Sequence, residues 1–164
     1  MITIRPARPE DADTVIALAN GLNQYEGKPD TPLTADQFRE SAFGAAPWFE
    51  CLIAECRDRA VGYAAYSRDF DLESGQRGLH LIDLFVAAEV RRRGVGRALL
   101  ARLTTTALSM GCAYIEWQAM NWNAEAQAFY RAVGGVEEGV QTYSMGLAEL
   151  EALCRPRSDA AEIL

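Results

Sequence analysis

A short glycine-containing turn carries the clearest chemical pattern in this sequence of 164 residues. It reads Arg-Arg-Arg-Gly-Val-Gly-Arg over residues 91–97 and lies between an apolar run and a segment with helical spacing. Glycine lets another group approach the backbone closely, so the first turn of the following helix can present bare N–H groups. These groups lie at the positive end of the helix dipole, and with the flanking arginines they favour a phosphate or pyrophosphate.

The residues that the turn lacks narrow the choice of ligand. A Walker loop needs Lys and Ser or Thr after its second glycine, and neither is present. A dinucleotide GxGxxG pattern needs glycine at the position of Leu99. A nucleotide-binding domain is therefore kept only as a third hypothesis, and a plain strand-to-helix turn with solvated arginines is the alternative without a ligand.

The elements that must position this turn alternate between strand and helix patterns. The apolar run over residues 79–86 is typical of a central strand covered on both faces, and Asp83 is its one interior acid. Thr34 and Gln37 form a capping box that opens a helix through Phe43. The element order predicts a mixed α/β sheet with helices on both faces. The predicted strands are 2–5, 49–55, 60–67, 79–86, 112–119 and 140–145. The predicted helices are 10–22, 34–43, 124–133 and a long one that follows the glycine turn, has its apolar residues between Ala98 and Leu108 and ends before Gly111. A polar loop is expected over 69–75, and 147–154 is a short helical or irregular end.

Composition and charge limit the classes of partner. The net charge is −7, but residues 91–102 contain five arginines and no acid, so that window carries +5 and the remainder −12. The acidic total disfavours binding to nucleic acid, which needs a broad cationic face. Length and composition indicate one domain over residues 1–154, followed by a frayed tail over 155–164.

Several further classes are excluded by the residues present. No segment has a signal-peptide pattern or roughly 18 consecutive apolar residues, so we expect a cytoplasmic protein without a membrane partner. The four cysteines have neither CxxC spacing nor the number that a disulfide framework needs, and we expect free thiols. Because His80 is the single imidazole, no metal site is expected.

Two motifs in order make the sequence recognisable. Arg91-x-x-Gly94-x-Gly96 directly after an apolar strand resembles the acetyl-CoA signature of the GNAT acetyltransferases, and the stretch from Asn123 to Tyr130 followed by two glycines is similar to that family's late strand-helix motif. The resemblance covers the chain to about residue 150. It implies a GNAT-like fold with a mostly antiparallel central sheet, acetyl-CoA as cosubstrate and a homodimer. Shorter stretches are similar to the diamine (spermidine/spermine) N-acetyltransferases: 24–26, 43–49, 79–86 and 122–123.

The resemblance also implies how the cosubstrate is held. Turn amides bind the CoA pyrophosphate, and a backbone N–H of the central strand polarises the thioester carbonyl. Tyr130 fills the role of the acid, since a phenol with a pKa of about 10 stays protonated at neutral pH; the alternative is that its ring only packs beneath the helix. Asn123 lies near the pantetheine or caps its helix. The implied cosubstrate-binding residues are Phe85, Val86, Arg91, Arg92, Arg93, Gly94, Val95, Gly96, Arg97, Asn123 and Tyr130.

The base that takes the proton from the amine is less clearly marked. The diamine acetyltransferases have adjacent Glu and Asp in the central strand, whereas this chain has Ile82 and Asp83. Asp83 can act as the base through water, bind the substrate ammonium, or be satisfied by internal hydrogen bonds. His80 shares strand parity with Ile82 and is either a second base or structural. By subfamily analogy the substrate-binding residues are Tyr25, Glu26 and Asp83.

The leading hypothesis is an N-acetyltransferase that moves an acetyl group from acetyl-CoA to a primary amine of a small cationic substrate by direct transfer in a ternary complex. A polyamine, a diamine and a lysine-like compound are the expected acceptors. The alternatives are a non-catalytic acyl-CoA-binding module, which the loss of the acid at Ile82 motivates, and an acetyltransferase for a protein or antibiotic amine.

Overall fold

The computed structural model describes residues 1–154, whose strands form a five-stranded sheet in chain order. Neighbouring strands are antiparallel from the first to the fourth, whereas the fourth and fifth are parallel. Parallel neighbours need a crossover connection, which a helix provides here. The predicted mixed, mostly antiparallel sheet is therefore confirmed. The strands are β1 Ile2–Pro6, β2 Glu50–Cys56, β3 Arg59–Asp71, β4 Gln76–Val86 and β5 Tyr114–Trp117.

The helices begin close to the positions that the sequence predicts. The capping box is present, because Thr34 Oγ1 accepts from the Gln37 N–H at 3.2 Å and Gln37 Oε1 accepts from the Thr34 N–H at 2.9 Å. In the described residues, no helix is both long and apolar enough to cross a bilayer. The helices are α1 Ala12–Tyr25, α2 Ala35–Phe43, α3 Val95–Ser109, α4 Ala124–Ala132 and α5 Leu147–Cys154.

Helices cover both faces of the sheet. On one face, Val15 of α1 and Phe38 of α2 share a buried core with Tyr63 of β3. On the other face, α3 buries Leu99, and a Cβ placed on Gly62 of β3 would lie 3.5 Å from the Leu99 Cδ1 atom. Successive residues of β3 thus pack into the cores on opposite faces of the sheet, as expected for a central strand. The four cysteines are free thiols, as predicted.

A one-residue bulge interrupts β4. Asp83 pairs with Ala65, and Leu81 pairs with the next residue of β3, so Ile82 is skipped in that pairing. A bulge reverses the alternation of side chains between the two faces on its far side. His80 therefore falls on the same face as Asp83, which corrects the parity with Ile82 that an unbroken strand would have.

The hairpin of β3 and β4 extends beyond the predicted boundaries. Asp69 and Asp71, expected in a loop, lie in β3 opposite Gly78 and Gln76. An alternating apolar pattern marks only the buried part of a strand. This end of the hairpin is polar, so the sequence pattern ended before the hydrogen-bonded pairing of the two strands did. The opposite error occurred at β5, which is shorter than the predicted strand over 112–119.

Residues 1–124 form one compact unit, and a second unit begins at Glu125. The second unit includes α5, whereas residues 140–145 have no regular secondary structure, so the predicted last strand is wrong. Their side chains are exposed. A strand needs a neighbour that completes its hydrogen bonds, and an alternating pattern of six residues does not supply one. Residues 155–164, expected to be a frayed tail, lie outside the described residues.

Candidate active site

The glycine turn joins β4 to α3 and exposes the start of that helix. Gly94 has a φ of +84°, a left-handed conformation, and no atom lies within 4 Å of the position that its Cβ would take. Its carbonyl accepts from the Ala98 N–H at 2.9 Å, which is the first bond of the helix. No side chain caps the helix, so the N–H groups of residues 95–97 point out of its first turn. Arg93 and Arg97 are exposed beside them, and the whole turn is suited to an anion.

The last residues of β4 have an open backbone edge. Pairing with β5 ends where Leu81 lies opposite Trp117, and among the described residues no strand continues beside β4 from there to Val86. The Ala87 N–H donates to the Val61 carbonyl on β3 at 2.9 Å. Because antiparallel hydrogen bonds alternate along a strand, the N–H of Val86 points away from β3 and toward the open edge.

Phe85 has the opposite orientation. By the same alternation its N–H faces β3, where its partner is Tyr63. Its ring is buried and lies 6.4 Å from the Tyr63 ring centroid. Of the two neighbouring residues expected to contact the cosubstrate, Val86 is thus placed to offer a backbone donor at the open edge, while Phe85 belongs to the core.

Asp83 is a half-buried acid that is hydrogen-bonded to a buried tyrosine. Tyr63 Oη donates to Asp83 Oδ2 at 2.9 Å. Burial raises the pKa of Asp83 above its ordinary value and the charge of Glu26 adds to this, whereas the Tyr63 hydroxyl and Lys28 act in the opposite direction. Burial and the adjacent carboxylate also raise the pKa of Tyr63, so it stays a donor. Asp83 therefore takes up a proton more readily than a surface aspartate.

The loop after α1 contributes an ion pair close to this acid. Lys28 Nζ lies 2.6 Å from Glu26 Oε2. The Glu26 side chain is 16% exposed and that of Lys28 is 53% exposed, so the carboxylate is the more enclosed member. Both charges act on the pKa of Asp83. The expected acidic acceptor site thus includes a lysine that the sequence-based prediction missed, because no motif marks it.

Tyr25, the last residue of α1, is held on several sides. Its hydroxyl donates to Asn123 Oδ1 at 3.2 Å. The ring centroid lies 6.0 Å from that of Trp122 and 4.5 Å from the guanidinium carbon of Arg91. Asn123 therefore holds the hydroxyl of Tyr25, a role that was not among the two expected for it.

His80 forms a pair with a glutamate on the neighbouring strand. Its Nδ1 lies 3.2 Å from Glu116 Oε1, and the two residues are opposite each other on β4 and β5. This rung comes immediately before the last one, Leu81 with Trp117, after which the strands part. Because of the bulge, His80 is a second titratable group on the face that carries Asp83.

Tyr130 lies on α4, in the unit that begins at Glu125. Its ring centroid is 5.4 Å from that of Phe129, and its carbonyl accepts from the Gly135 N–H at 2.9 Å. The residue is partly exposed. Its role as proton donor stays a prediction that rests on the sequence motif.

Known proteins share both the sequence pattern and the fold of this chain. The Acetyltransferase (GNAT) family model matches residues 15–134, a span that contains the glycine turn, Asp83 and Tyr130. Thialysine N-epsilon-acetyltransferase of Bos taurus is 28% identical over 142 residues, which cover 81% of this chain and 83% of that protein. Spermidine/spermine N(1)-acetyltransferase-like protein 1 of Homo sapiens is 30% identical over 159 residues, which cover 90% of this chain and 23% of that protein. The integron cassette protein VCH_CASS6 of V. cholerae has a similar fold, with a TM-score of 0.80, 21% identity and coverage of 94% of this chain and 98% of that one.

Proposed function

The chain belongs to the GNAT acetyltransferase family, and from that premise we propose that it moves the acetyl group of acetyl-CoA to a primary amine of a small cationic substrate, by direct transfer in a ternary complex. The observation that carries this proposal is the order of features along β4. The backbone edge is open after Leu81 as far as Val86, the half-buried Asp83 lies within this stretch, and the turn around Gly94 comes next. Polyamines, diamines and lysine-like compounds are the favoured acceptors, because two relatives are named for thialysine and for spermidine and spermine.

The chain has features that fit both ends of acetyl-CoA, which supplies the activated acetyl thioester when bound. The first-turn amides of α3, with the exposed Arg92, Arg93 and Arg97, are suited to its phosphates. The N–H of Val86 at the open edge is suited to its acetyl carbonyl, because a preorganised donor stabilises the negative charge that develops on that oxygen.

Binding of the acceptor is assigned to the end of α1 and to β4. Tyr25 offers a partly exposed aromatic ring, and Glu26 and Asp83 offer two carboxylates. Lys28 already neutralises Glu26, so a substrate ammonium either displaces Lys28 or binds at Asp83. An acceptor with two ammonium groups can use both carboxylates only when one of its ammonium groups displaces Lys28.

Proton transfer is assigned to Asp83 and Tyr130. An alkylammonium group has a pKa near 10.4 in water, so a base must take its proton before the nitrogen can attack. Asp83, whose pKa burial raises, accepts that proton directly or through water. Tyr130 Oη supplies the proton that the leaving sulfur needs, since a phenol stays neutral at pH 7.

The same proposal treats residues 1–154 as one acetyltransferase domain. The family model runs from residue 15 to 134 and so crosses the boundary between the two compact units. Homodimerisation and a cytoplasmic location stay predictions. Light scattering of the purified protein measures the first of them.

The proposal is tested by thiol release from acetyl-CoA over a panel of polyamines, diamines, lysine, thialysine, an aminoglycoside and a peptide N-terminus. Tyr130→Phe should lower kcat by roughly 10²–10⁴-fold, the usual contribution of a general acid, with little change in either KM. Tyr143→Phe is the matched control, because Tyr143 lies in the same unit and is 86% exposed. This variant should leave kcat unchanged.

Two results would change the proposed function. Calorimetric binding of CoA without thiol release for any amine would favour the non-catalytic acyl-CoA-binding module. Turnover restricted to the aminoglycoside or the peptide would keep the enzyme class and replace the acceptor.

A further inference from the structure

We propose that Arg91 is a positioning residue for the acceptor side of the site and not a ligand of the CoA phosphates. The inference rests on the proposed function and adds a role for one of its residues. The sequence presents four arginines around the glycine turn as equivalent, whereas the structure separates them. Arg92, Arg93 and Arg97 are exposed, while Arg91 is half-buried and turned back toward β4.

One side chain joins the end of β4 to the end of α1. Arg91 Nε donates to the Val86 carbonyl at 2.9 Å. The guanidinium carbon lies 4.5 Å from the Tyr25 ring centroid and 5.9 Å from that of Phe85. A guanidinium within about 6 Å of an aromatic centroid is attracted to the ring, and its planar donors act at the same time. Arg91 is thus occupied by the protein itself.

The contact between Arg91 and Tyr25 matters because Tyr25 is held by several residues at once. Besides Arg91, the ring contacts Trp122, and its hydroxyl is bonded to Asn123. Tyr25 is still 38% exposed, so part of the ring stays open to an acceptor. Glu26 is the next residue along the chain, and removal of Arg91 therefore loosens two of the three residues assigned to the acceptor.

The contact also affects the open edge of β4. Val86 has a carbonyl and an N–H on that edge, and the carbonyl is occupied by Arg91. The N–H is then the group that Val86 presents to a ligand. An acetyl carbonyl needs a donor and is repelled by another carbonyl oxygen, so Arg91 gives the edge the required polarity.

The experiment compares Arg91→Gln with Arg93→Gln, its exposed neighbour, by steady-state kinetics and by calorimetric titration with CoA. Arg91→Gln should raise KM for the amine about tenfold and leave the Kd of CoA within about twofold, because it removes a cation–π contact on the acceptor side. Arg93→Gln should raise the Kd of CoA and leave KM for the amine nearly unchanged. Arg91→Lys, which keeps the charge over the ring, should recover part of the loss.

Loss of CoA affinity in Arg91→Gln equal to that in Arg93→Gln, with an unchanged amine KM, overturns the proposal. Tyr25→Leu removes the stacking partner without touching the turn and should reproduce the Arg91→Gln pattern even where that variant folds poorly. Weaker CoA binding in Tyr25→Leu also contradicts the proposal. A wild-type chain that acetylates no amine contradicts the proposed function instead, and the CoA affinities of the variants then decide the role of Arg91.

Discussion

At the scale of single residues, Asp83 shows two effects of opposite sign on one carboxyl. Burial raises its pKa, and the hydrogen bond from Tyr63 lowers it, with burial the larger effect. The nearby thiol is governed by the same burial, which raises the pKa of Cys51 to about 12. Cys51 therefore stays protonated at neutral pH and does not compete as a nucleophile. Asp83 is therefore the group that we propose as the base on this face.

Tyr63→Phe tests that assignment through pH. A base works only when deprotonated, so kcat/KM falls as the pH drops through the raised pKa of Asp83. Without the Tyr63 hydroxyl, which lowers that pKa, the acid limb should move to higher pH. The matched control is Tyr66→Phe, because Tyr66 is equally buried and its Oη donates to Glu50 Oε2 at 3.0 Å.

Each of the two variants should lose about 1.5–3 kcal/mol of stability, the usual value of a hydrogen bond to a charged group. Only Tyr63→Phe should move the pH–rate profile. An acid limb that stays in place would remove Asp83 as the base and leave His80, paired with Glu116, as the candidate.

At the scale of elements, the proposed site lies where regular secondary structure is interrupted. The bulge at Ile82 brings His80 and Asp83 to one face, and the early end of β5 leaves the edge of β4 open. The left-handed Gly94 starts α3 without a side-chain cap. A neighbouring strand along the whole of β4 would satisfy the backbone groups of its edge, and a side-chain cap would satisfy one of the N–H groups in the first turn of α3. The irregularities are therefore what makes backbone donors available to a ligand.

Gly94→Ala should separate this role from stability. A Cβ at φ of +84° meets no atom, so the cost is conformational and on the order of 1–2 kcal/mol, and relaxation of the turn should also weaken CoA binding. Gly75→Ala is the matched control, since Gly75 has a φ of +69° and equally open surroundings in the β3–β4 connection. Thermal unfolding and CoA titration check both variants. Equal CoA affinity in the two would contradict a ligand role for the turn.

At the scale of the whole molecule, the charge distribution matches a two-substrate enzyme. The net charge of −7 divides into +5 over residues 91–102 and −12 elsewhere. A cationic amine is attracted by the larger acidic part, and an anionic cosubstrate by the basic window. Arg91 is drawn inward by its contact with Val86, so the exposed charge of the window is carried by the other arginines.

Salt dependence should reveal this long-range attraction. Raising the ionic strength shortens the screening length to about 10 Å at 0.1 M, which weakens attraction between exposed charges. The kcat/KM for a triply charged polyamine should therefore fall more steeply with added NaCl than that for a singly charged amine. Initial rates of thiol release over a series of NaCl concentrations measure the salt dependence of kcat/KM for both amines. Parallel slopes would show that the acidic total does not steer the acceptor.

Much of this protein could be predicted from its sequence, because the determining interactions are local. The capping box at Thr34 and Gln37 and the glycine turn at Gly94 are set by residues within a few positions of each other, and the structure contains both. The nearly continuous apolar run over residues 79–86, interrupted at His80 and Asp83, likewise predicted the strand that the structure contains as β4. The fold class follows from the order of such elements.

Only the tertiary structure decided which of the chemically capable residues meet. The Tyr63–Asp83 bond and the inward turn of Arg91 depend on contacts between elements far apart in the chain. The face of His80 depends on a bulge, which is defined by pairing with β3 and not by the sequence of β4. Residues 140–145 have strand-like alternation but no strand, since hydrogen bonds to a neighbouring strand are a property of the fold. Local spacing thus determined the elements, and long-range register determined the site.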